Sequence, residues 1–355
     1  MCREEKIKKE EQMTPKEVML TAFEGGKPER VPVTLFGGGM WSIHNYGTTF
    51  EELSTNPDKM TDMLITMSEK LQCDIVYAGS GYNNFHASAL GGSIKFREIG
   101  APDLEEPLVH SEEDLAKLNI EDIDKDDTIN VVKEALRSTK AKIGDHYVVT
   151  MTAWGPFTLA ARFVGEEDMM KATFKQPKFV EKVIEFSTDL LIHLYKPLVE
   201  DGTLEVISLA DPTASGDLIS KRQFAKFAVP ALKKFTDWAK SQNAHTLLHI
   251  CGNTTDRLEL FPDTGASCIS LDHKTDIAKA KETLYGKMCF AGNVDPVAVM
   301  LQGSVDDVEK TCRNIIEVAG TDGAFVLMPG CDIPPNVPYE NIQKFIEIAR
   351  EWKLS

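Results

Sequence analysis

Three residues have side chains and spacing that could bind a metal ion. His249 and Cys251 are two positions apart in HTLLHICG (245–252), and Cys331 lies further along the chain in PGCDIPP. Side chains alternate along an extended strand, so His249 and Cys251 would share one face if this segment is a strand. One imidazole and two thiolates suit zinc, and three protein ligands leave a fourth tetrahedral position for water or substrate. We therefore predict a catalytic zinc site, provided that the fold brings Cys331 to the other two.

The other cysteines do not share this arrangement. The chain has seven cysteines, an odd number, scattered without the spacing of a disulfide framework. Free cysteine packs as a small hydrophobic side chain. Four of them lie in apolar runs, and we expect them to be buried core residues: Cys73, Cys268, Cys289 and Cys312.

The zinc ligands need a scaffold, and the chain contains eight short apolar runs typical of strands. Helical-period segments separate most of them, among them 177–202, 221–242, 304–320 and 338–353. Eight strands with intervening helices in 355 residues favour an α/β fold, the (β/α)8 TIM barrel. An open doubly wound sheet is the alternative, but no G-x-G-x-x-G follows the first run. The runs are VPVTLFG (31–37), DIVYAG (74–79), YVVTMTAWG (147–155), EVISLAD (205–211), HTLLHICG (245–252), CISLDH (268–273), MCFAGNV (288–294) and AFVLMPG (324–330).

A barrel of this kind has its active site at the C-terminal ends of the strands. Asp272 ends the sixth predicted strand, where it could fill the fourth zinc position or accept a proton from an incoming ligand. Asp211 and Asn293, at neighbouring strand ends, could orient the substrate. Four residues after the first two strands could line the cavity, although ordinary loop packing is the alternative for each of them: Trp41, His44, Tyr82 and Asn83.

The chain is expected to form one domain over residues 13–355, with a disordered or frayed lead at 1–12 and Met13 as a second possible start. The stretch 80–146 is long for one crossover, and we predict an insertion after the second strand that covers the barrel mouth. Within it, 91–100 alternates like a small hairpin and 126–144 has a helical period.

The composition excludes several other classes of protein. The formal charge of −16 disfavours nucleic acid as a partner, because the chain shows no segregated basic face. No apolar run reaches the ~18 residues of a membrane span, and no hydrophobic signal core begins the chain. We expect a cytoplasmic protein, and the sequence leaves its oligomeric state open.

Four segments carry a resemblance to a known family. They are SLADPTASGDLISKRQFAKFAVPALKK (208–234), LLHICGNTTD (247–256), FAGNVDPVAVMLQGSVDDV (290–308) and LMPGCDIPPNVPYENIQKFIEIA (327–349). The chain resembles the uroporphyrinogen decarboxylase superfamily, and within it the corrinoid-dependent methyltransferases typified by the methylcobalamin:coenzyme M enzymes. This resemblance implies a (β/α)8 barrel. It also implies that the family's zinc motif falls on His249, Cys251 and Cys331.

The resemblance further implies a zinc-dependent methyltransferase that exchanges a methyl group between a corrinoid (cobalamin) and a thiol or folate. Coenzyme M and tetrahydrofolate are the candidate acceptors, and the direction of transfer stays open. The carrier motif D-x-H-x-x-G is absent from the chain, so a separate corrinoid protein should present the methylcobalamin in a transient complex.

One departure from the superfamily bears on the reaction. True decarboxylases have an arginine-containing motif after the first strand, whereas FGGGMWSIHNYG (36–47) has no arginine. Two alternatives remain open. One is a metal-free decarboxylase or lyase in which Asp211 carries the chemistry, and the other is a non-catalytic corrinoid-binding protein.

Overall fold

The chain folds around a set of short, buried, mostly parallel strands. A computed structural model describes residues 12–36, 39–78, 81–97 and 100–354. The predicted lead at 1–12 lies outside these residues, except for residue 12. The strands are β1 Ile75–Tyr77, β2 Ile94–Lys95, β3 Asp103–Leu104, β4 Val148–Thr150, β5 Thr152–Trp154, β6 Val206–Ala210, β7 His245–Ile250, β8 Cys268–Leu271, β9 Cys289–Val294 and β10 Phe325–Pro329.

The strands pair in the cyclic order of a TIM barrel. β5 to β10 form one parallel sheet in sequence order, and β1 pairs with β4 in parallel. β4 and β5 are the two halves of the predicted strand at 147–155, interrupted at Met151. The Thr150 hydroxyl donates to the carbonyl of Val206 at 2.7 Å and ties β4 to β6. The parallel alternation of strands and helices confirms the predicted α/β class.

The first predicted strand, 31–37, is reduced to a single bridge. Val33 bridges Leu327 of β10 in parallel, and the amide of Asp74 donates to the carbonyl of Val33 at 2.9 Å. Pro32 has no amide hydrogen, so the segment cannot form a regular ladder. The segment still lies between β10 and β1 and completes the eighth position of the barrel.

A buried ion pair holds this closure at the N-terminal end of the strands. The guanidinium of Arg30 donates to both carboxylate oxygens of Asp74, at 2.9 and 2.6 Å. Asp74 also accepts the amide of Val33 at 2.8 Å. Both charged side chains are almost fully buried. The pair therefore connects the segment at 31–35 to β1 without contact with solvent.

The helices form a layer outside the strands, and α1 closes the bottom of the barrel. Thr14 caps α1 in a capping box, and Met19 and Phe23 pack into the cluster that fills the barrel interior. The α-helices are α1 Pro15–Phe23, α2 Gly39–Tyr46, α3 Phe50–Leu53, α4 Pro57–Leu71, α5 Phe85–Ala89, α6 Glu112–Leu115, α7 Asp127–Ile143, α8 Pro156–Val164, α9 Glu166–Lys175, α10 Pro177–Glu200, α11 Lys221–Gln223, α12 Val229–Ser241, α13 Ile277–Leu284, α14 Val305–Ile315 and α15 Tyr339–Glu351.

Shorter helical turns join these elements. The 3-10 turns cover Tyr82–Asn84, Ile120–Lys125, Pro212–Ala214, Thr255–Leu260 and Pro262–Thr264, and π-helical turns cover Phe224–Ala228 and Ile316–Gly320. The predicted cysteine burial is confirmed: Cys73, Cys268, Cys289 and Cys312 are all buried. In the described part of the chain, no helix is both long and apolar enough to cross a membrane.

The predicted insertion at 80–146 divides into two parts. β2 and β3 form a small antiparallel hairpin, so the hairpin predicted at 91–100 extends a few residues further. α7 packs against α4 and leads into β4, so it belongs to the outer layer of helices. Its buried face of Ile129, Val132 and Leu136 explains that position. Residues 126–144 are thus the crossover helix of the barrel and not part of a lid, which corrects that portion of the prediction.

Candidate metal centre

The structure brings the three predicted metal ligands together. His249 lies in β7, Cys251 follows the strand, and Cys331 follows β10 after Gly330. His249 Nε2 lies 3.2 Å from Cys251 Sγ, which lies 3.6 Å from Cys331 Sγ. One ligand atom of each residue lies within 4.8 Å of the others. His249 is fully buried, and the two cysteines are partly exposed. Residues far apart in the sequence therefore form one compact donor set.

Gly330 allows the chain carrying Cys331 to reach this position. Its amide donates to the carbonyl of Val294 at 2.7 Å. A Cβ atom at Gly330 would lie 2.3 Å from the amide nitrogen of His273. Only glycine fits so close to a neighbouring backbone. The loop after β10 is therefore seated directly against the loop after β8.

The spacing of the donor atoms fits a tetrahedral zinc ion. Zn–S bonds of ~2.3 Å place two sulfur ligands ~3.8 Å apart in a tetrahedron. The distance between the Cys251 and Cys331 sulfur atoms is 3.6 Å. Imidazole and thiolate are also the donors that zinc takes most often. The residues present thus fit a zinc site with one position left for another ligand.

The two cysteines share a proton in the protein alone. The hydrogen bond with Cys251 lowers the pKa of Cys331, burial opposes this shift and His249 adds to it, so that the pKa is about 4. The same hydrogen bond, together with burial, raises the pKa of Cys251. Cys331 is therefore the cysteine of the pair that ionises first. A cation would release the second proton.

Asp272 holds backbone groups beside the cluster. One carboxylate oxygen accepts the amide of Gly252 at 2.8 Å, and the other accepts the amide of Lys274 at 3.0 Å. The second oxygen also lies 3.0 Å from His273 Nδ1. Asp272 is not part of the cluster of three ligand atoms. Its bonding is that of a loop anchor, which differs from the fourth ligand proposed from the sequence.

Asp211 is fully buried at the end of β6, where it caps a neighbouring helix. One carboxylate oxygen accepts the amide of Thr158 at 2.7 Å and its hydroxyl at 2.6 Å. The helix concerned, α8, begins after Gly155, which has no side chain to cap it. A Cβ at Gly155 would lie 2.6 Å from Asp211 Cγ, so glycine makes room for the carboxylate. Asp211 thus supplies the capping group from another strand.

The burial of Asp211 predicts a pH effect on stability. Burial raises the pKa of Asp211 to about 6, although the hydrogen bonds from Thr158 oppose the shift. The folded state therefore binds this proton more tightly than the unfolded chain, whose pKa is about 3.9. The stability contributed by the carboxyl is complete below about pH 4 and is lost as pH rises through about 6. Asp211→Asn removes this titration.

The measurement is the urea midpoint of metal-free wild type and Asp211→Asn at about pH 5 and about pH 8. The urea midpoint of the variant, relative to that of the wild type, should be higher at about pH 8 than at about pH 5. The exposed Asp237→Asn is the matched control and should show no such shift. A difference that is the same at both pH values would contradict the buried, titrating carboxyl.

Asn293 and the four predicted cavity residues have other contacts. Asn293 Nδ2 donates to the carbonyls of Asp272 and Thr275, at 3.1 and 2.8 Å, and so holds the loop after β8. Trp41 is fully buried and donates to the carbonyl of Val337 at 2.9 Å. This packing corrects its predicted place in the cavity wall. Tyr82 and Asn83 are also buried, whereas His44 is exposed on α2.

Two contacts of His249 were not predicted from the sequence. The ring of Phe36 lies against the imidazole with 4.3 Å between centroids. Ser270 Oγ lies 3.0 Å from His249 Nδ1. Ser270 is two residues before Asp272, so alternation along a strand could have placed both on one face. The register of that strand against β7 could not be predicted from either segment alone.

Comparison with known proteins agrees with the predicted family and barrel. The chain belongs to the uroporphyrinogen decarboxylase (URO-D) family, whose profile matches residues 14–352. This membership confirms the predicted superfamily.

Two relatives are named for different activities. A methylcobamide:CoM methyltransferase, MtbA, from Methanosarcina acetivorans is 28% identical over 343 residues, covering 96% of this chain and 98% of that protein. A uroporphyrinogen decarboxylase from Trichodesmium erythraeum is 25% identical over 290 residues, covering 75% and 79%. The methyltransferase is thus matched over a larger share of both chains.

A solved structure has a similar fold. A methyltransferase from Methanosarcina mazei superposes with a TM-score of 0.86 at 28% identity, covering 96% of this chain and 99% of that one. The similarity therefore extends through the whole barrel.

Proposed function

We propose that this protein is a zinc-dependent methyltransferase that transfers a methyl group from a methylated corrinoid to a thiol. The cluster of His249, Cys251 and Cys331 at the barrel mouth carries the proposal. Relatives named methylcobamide:CoM methyltransferases match 96% of the chain and support the corrinoid and coenzyme M as substrates. Coenzyme M is the acceptor that we favour over tetrahydrofolate.

The three ligands prepare the site for a thiol. Zinc held here would supply Lewis acidity, which keeps a substrate sulfur in the thiolate form at neutral pH. His249, Cys251 and Cys331 would bind the zinc ion. The two thiolate ligands would offset the charge of the ion, so the net charge of the site would be close to zero. The low charge would leave electron density on the substrate sulfur for attack on the methyl carbon. The cobalt–carbon bond would break in the same step, and its electron pair would stay on the corrinoid.

The surrounding residues hold this arrangement and limit water. Phe36 covers one face of His249. Asp272 anchors the turn after Cys251, and Asn293 anchors the loop that carries Asp272. The two partly exposed cysteines mark the side of the cluster that would be open to substrate. Because these residues are already in place, a substrate that binds here would be oriented for reaction.

The first experiment measures transfer of the methyl group from free methylcobalamin to coenzyme M. The reaction is monitored by the absorbance change that accompanies loss of the cobalt-bound methyl group. We expect turnover with one zinc per chain and none after chelation, with activity restored by added zinc. Tetrahydrofolate in place of coenzyme M should give little transfer. No transfer to any thiol or folate, with zinc bound, would contradict the proposal.

The lyase alternative has a separate test. The family name and the decarboxylase relatives favour it, but the segment after the first strand contains no arginine to bind carboxylates. If the protein is a metal-free decarboxylase, the double variant Cys251→Ala/Cys331→Ala should keep its activity on uroporphyrinogen. The methyltransferase proposal expects no such activity in the wild type.

The carrier protein should contact the loops around the mouth. Leu218 and Val297 follow β6 and β9, and 56% and 44% of their surfaces are exposed. Leu218→Asp should lower kcat/KM for a corrinoid protein about tenfold, because it places a charge in a desolvated contact. Turnover of free methylcobalamin should not change.

Tyr285→Asp is the matched control for this prediction. Tyr285 is 54% exposed but lies between α13 and β9, before the N-terminal end of that strand. It should leave both activities unchanged. An equal loss with free and protein-bound corrinoid in Leu218→Asp would argue against a docking role.

A further inference from the structure

We propose that Ser270 and Asp272 are positioning residues that hold His249 and Cys251 in metal-binding geometry before the ion binds. The inference rests on the zinc site of the proposed function. The two residues are spaced by two along β8 and its C-terminal end, so their side chains share one face. That face lies beside β7, which carries the H-x-C pair.

Ser270 sets the orientation of the imidazole. His249 and Ser270 are register partners in β7 and β8, and both are fully buried. A hydrogen bond at 3.0 Å joins His249 Nδ1 to Ser270 Oγ, while Nε2 faces Cys251 Sγ. When Nδ1 donates to the hydroxyl, the lone pair of the neutral ring is on Nε2, where the metal needs it. Phe36 restricts rotation of the ring from its other face.

Asp272 sets the direction in which the chain leaves Cys251. Its carboxylate accepts the amide of Gly252, the next residue, at 2.8 Å. Gly252 has a φ of +77°, which favours glycine and marks a sharp turn. A Cβ there would lie 2.4 Å from Ser215 Oγ, so the turn is also tightly enclosed. The carboxylate thus fixes the turn that points Cys251 Sγ toward the cluster.

Through these two contacts, β8 and the residue that follows it hold two of the three metal ligands, His249 and Cys251, in position. Ligands supported by buried hydrogen bonds from a regular strand lose little conformational entropy on binding a metal. Removal of such supporting contacts typically weakens metal affinity ~10–100-fold. Ser270→Ala should therefore bind zinc within this range of weakening, although it removes no ligand.

The test is the zinc dissociation constant of the full-length protein, measured by competition with a chromophoric chelator. Ser270→Ala should bind zinc ~10–100-fold more weakly, and Ser270→Thr, which keeps the hydroxyl, should restore most of the affinity. Ser208→Ala is the control, because Ser208 is an equally buried strand serine bonded to Thr152 rather than to a ligand. It should bind zinc as tightly as the wild type.

Asp272→Asn provides an independent variant should Ser270→Ala not fold. Its zinc affinity should fall, while X-ray absorption at the zinc edge should show an unchanged set of one nitrogen and two sulfur protein ligands. Loss of an oxygen ligand in this variant would make Asp272 a ligand and overturn its positioning role. Unchanged zinc affinity in the folded variants would overturn the positioning role of both residues.

The outcomes separate this inference from the proposed function. A wild type that binds no zinc under reducing conditions would overturn both. Tight zinc binding and thiol methylation in the wild type, with the same affinity in Ser270→Ala and Asp272→Asn, would overturn the positioning role alone.

Discussion

Cys331→Ala should lose its zinc and about a thousandfold of its kcat/KM for transfer of a methyl group to coenzyme M. The substitution removes one of three ligand atoms that lie within 4.8 Å of one another. Without the ion, only a few per cent of a thiol with a pKa near 8.5 is ionised at neutral pH. Metal activation contributes several kcal/mol to such steps, and about 4 kcal/mol corresponds to the thousandfold loss.

Two measurements check this result. Metal content by mass spectrometry should fall from near one zinc per chain to near none, and methylcobalamin turnover should fall in parallel. Cys312→Ala is the matched control, because Cys312 is a buried core cysteine on α14. That variant should keep its zinc. Full zinc content in Cys331→Ala would contradict the three-ligand site.

Asp74→Ala should cost about 3–5 kcal/mol of the free energy of unfolding, because it leaves Arg30 buried without its partner. Burial raises the pKa of Asp74 even though Arg30 lowers it. Desolvation therefore dominates, and the charged side chains depend on each other. Asp74 also accepts the amide of Val33, so the substitution removes a hydrogen bond that joins the segment at 31–35 to the chain before β1, where the barrel closes.

Urea unfolding would measure this loss. The pair lies at the N-terminal end of the strands, where residues of TIM barrels serve stability and not catalysis. Zinc content of the folded variant should accordingly stay near one per chain. Asp237→Ala breaks an exposed ion pair with Lys233 and should leave the midpoint unchanged. An unchanged midpoint in Asp74→Ala would mean that the buried pair does not secure the closure.

The sequence by itself determined the barrel and predicted the three residues of the candidate metal site. Apolar runs at a spacing typical of alternating strands and helices predicted the strand positions, and seven of the eight contain regular strands. The H-x-C spacing predicted that His249 and Cys251 share a face, because alternation in a strand is local geometry. Burial of Cys73, Cys268, Cys289 and Cys312 followed from their apolar neighbours in the same way.

The first strand and the crossover helix show where local patterns were insufficient. The run at 31–37 has the composition of a strand, but Pro32 reduces it to a bridge to Leu327. Residues 126–144 were correctly predicted to be helical, yet their position beside α4 depends on which surface their apolar face covers. Periodicity indicates that a face is buried without indicating what covers it.

Only the tertiary structure decided how the site is assembled and supported. Cys331 reaches Cys251 because closure of the barrel brings the ends of β7 and β10 to one mouth, and Gly330 permits the close approach. The register of β8 against β7 turned Asp272 toward the amide of Gly252 and brought Ser270 to His249. Trp41 was buried against Val337 by packing between distant segments. These contacts depend on strand register and long-range packing, whereas the strands and the H-x-C pair depend on the local chain.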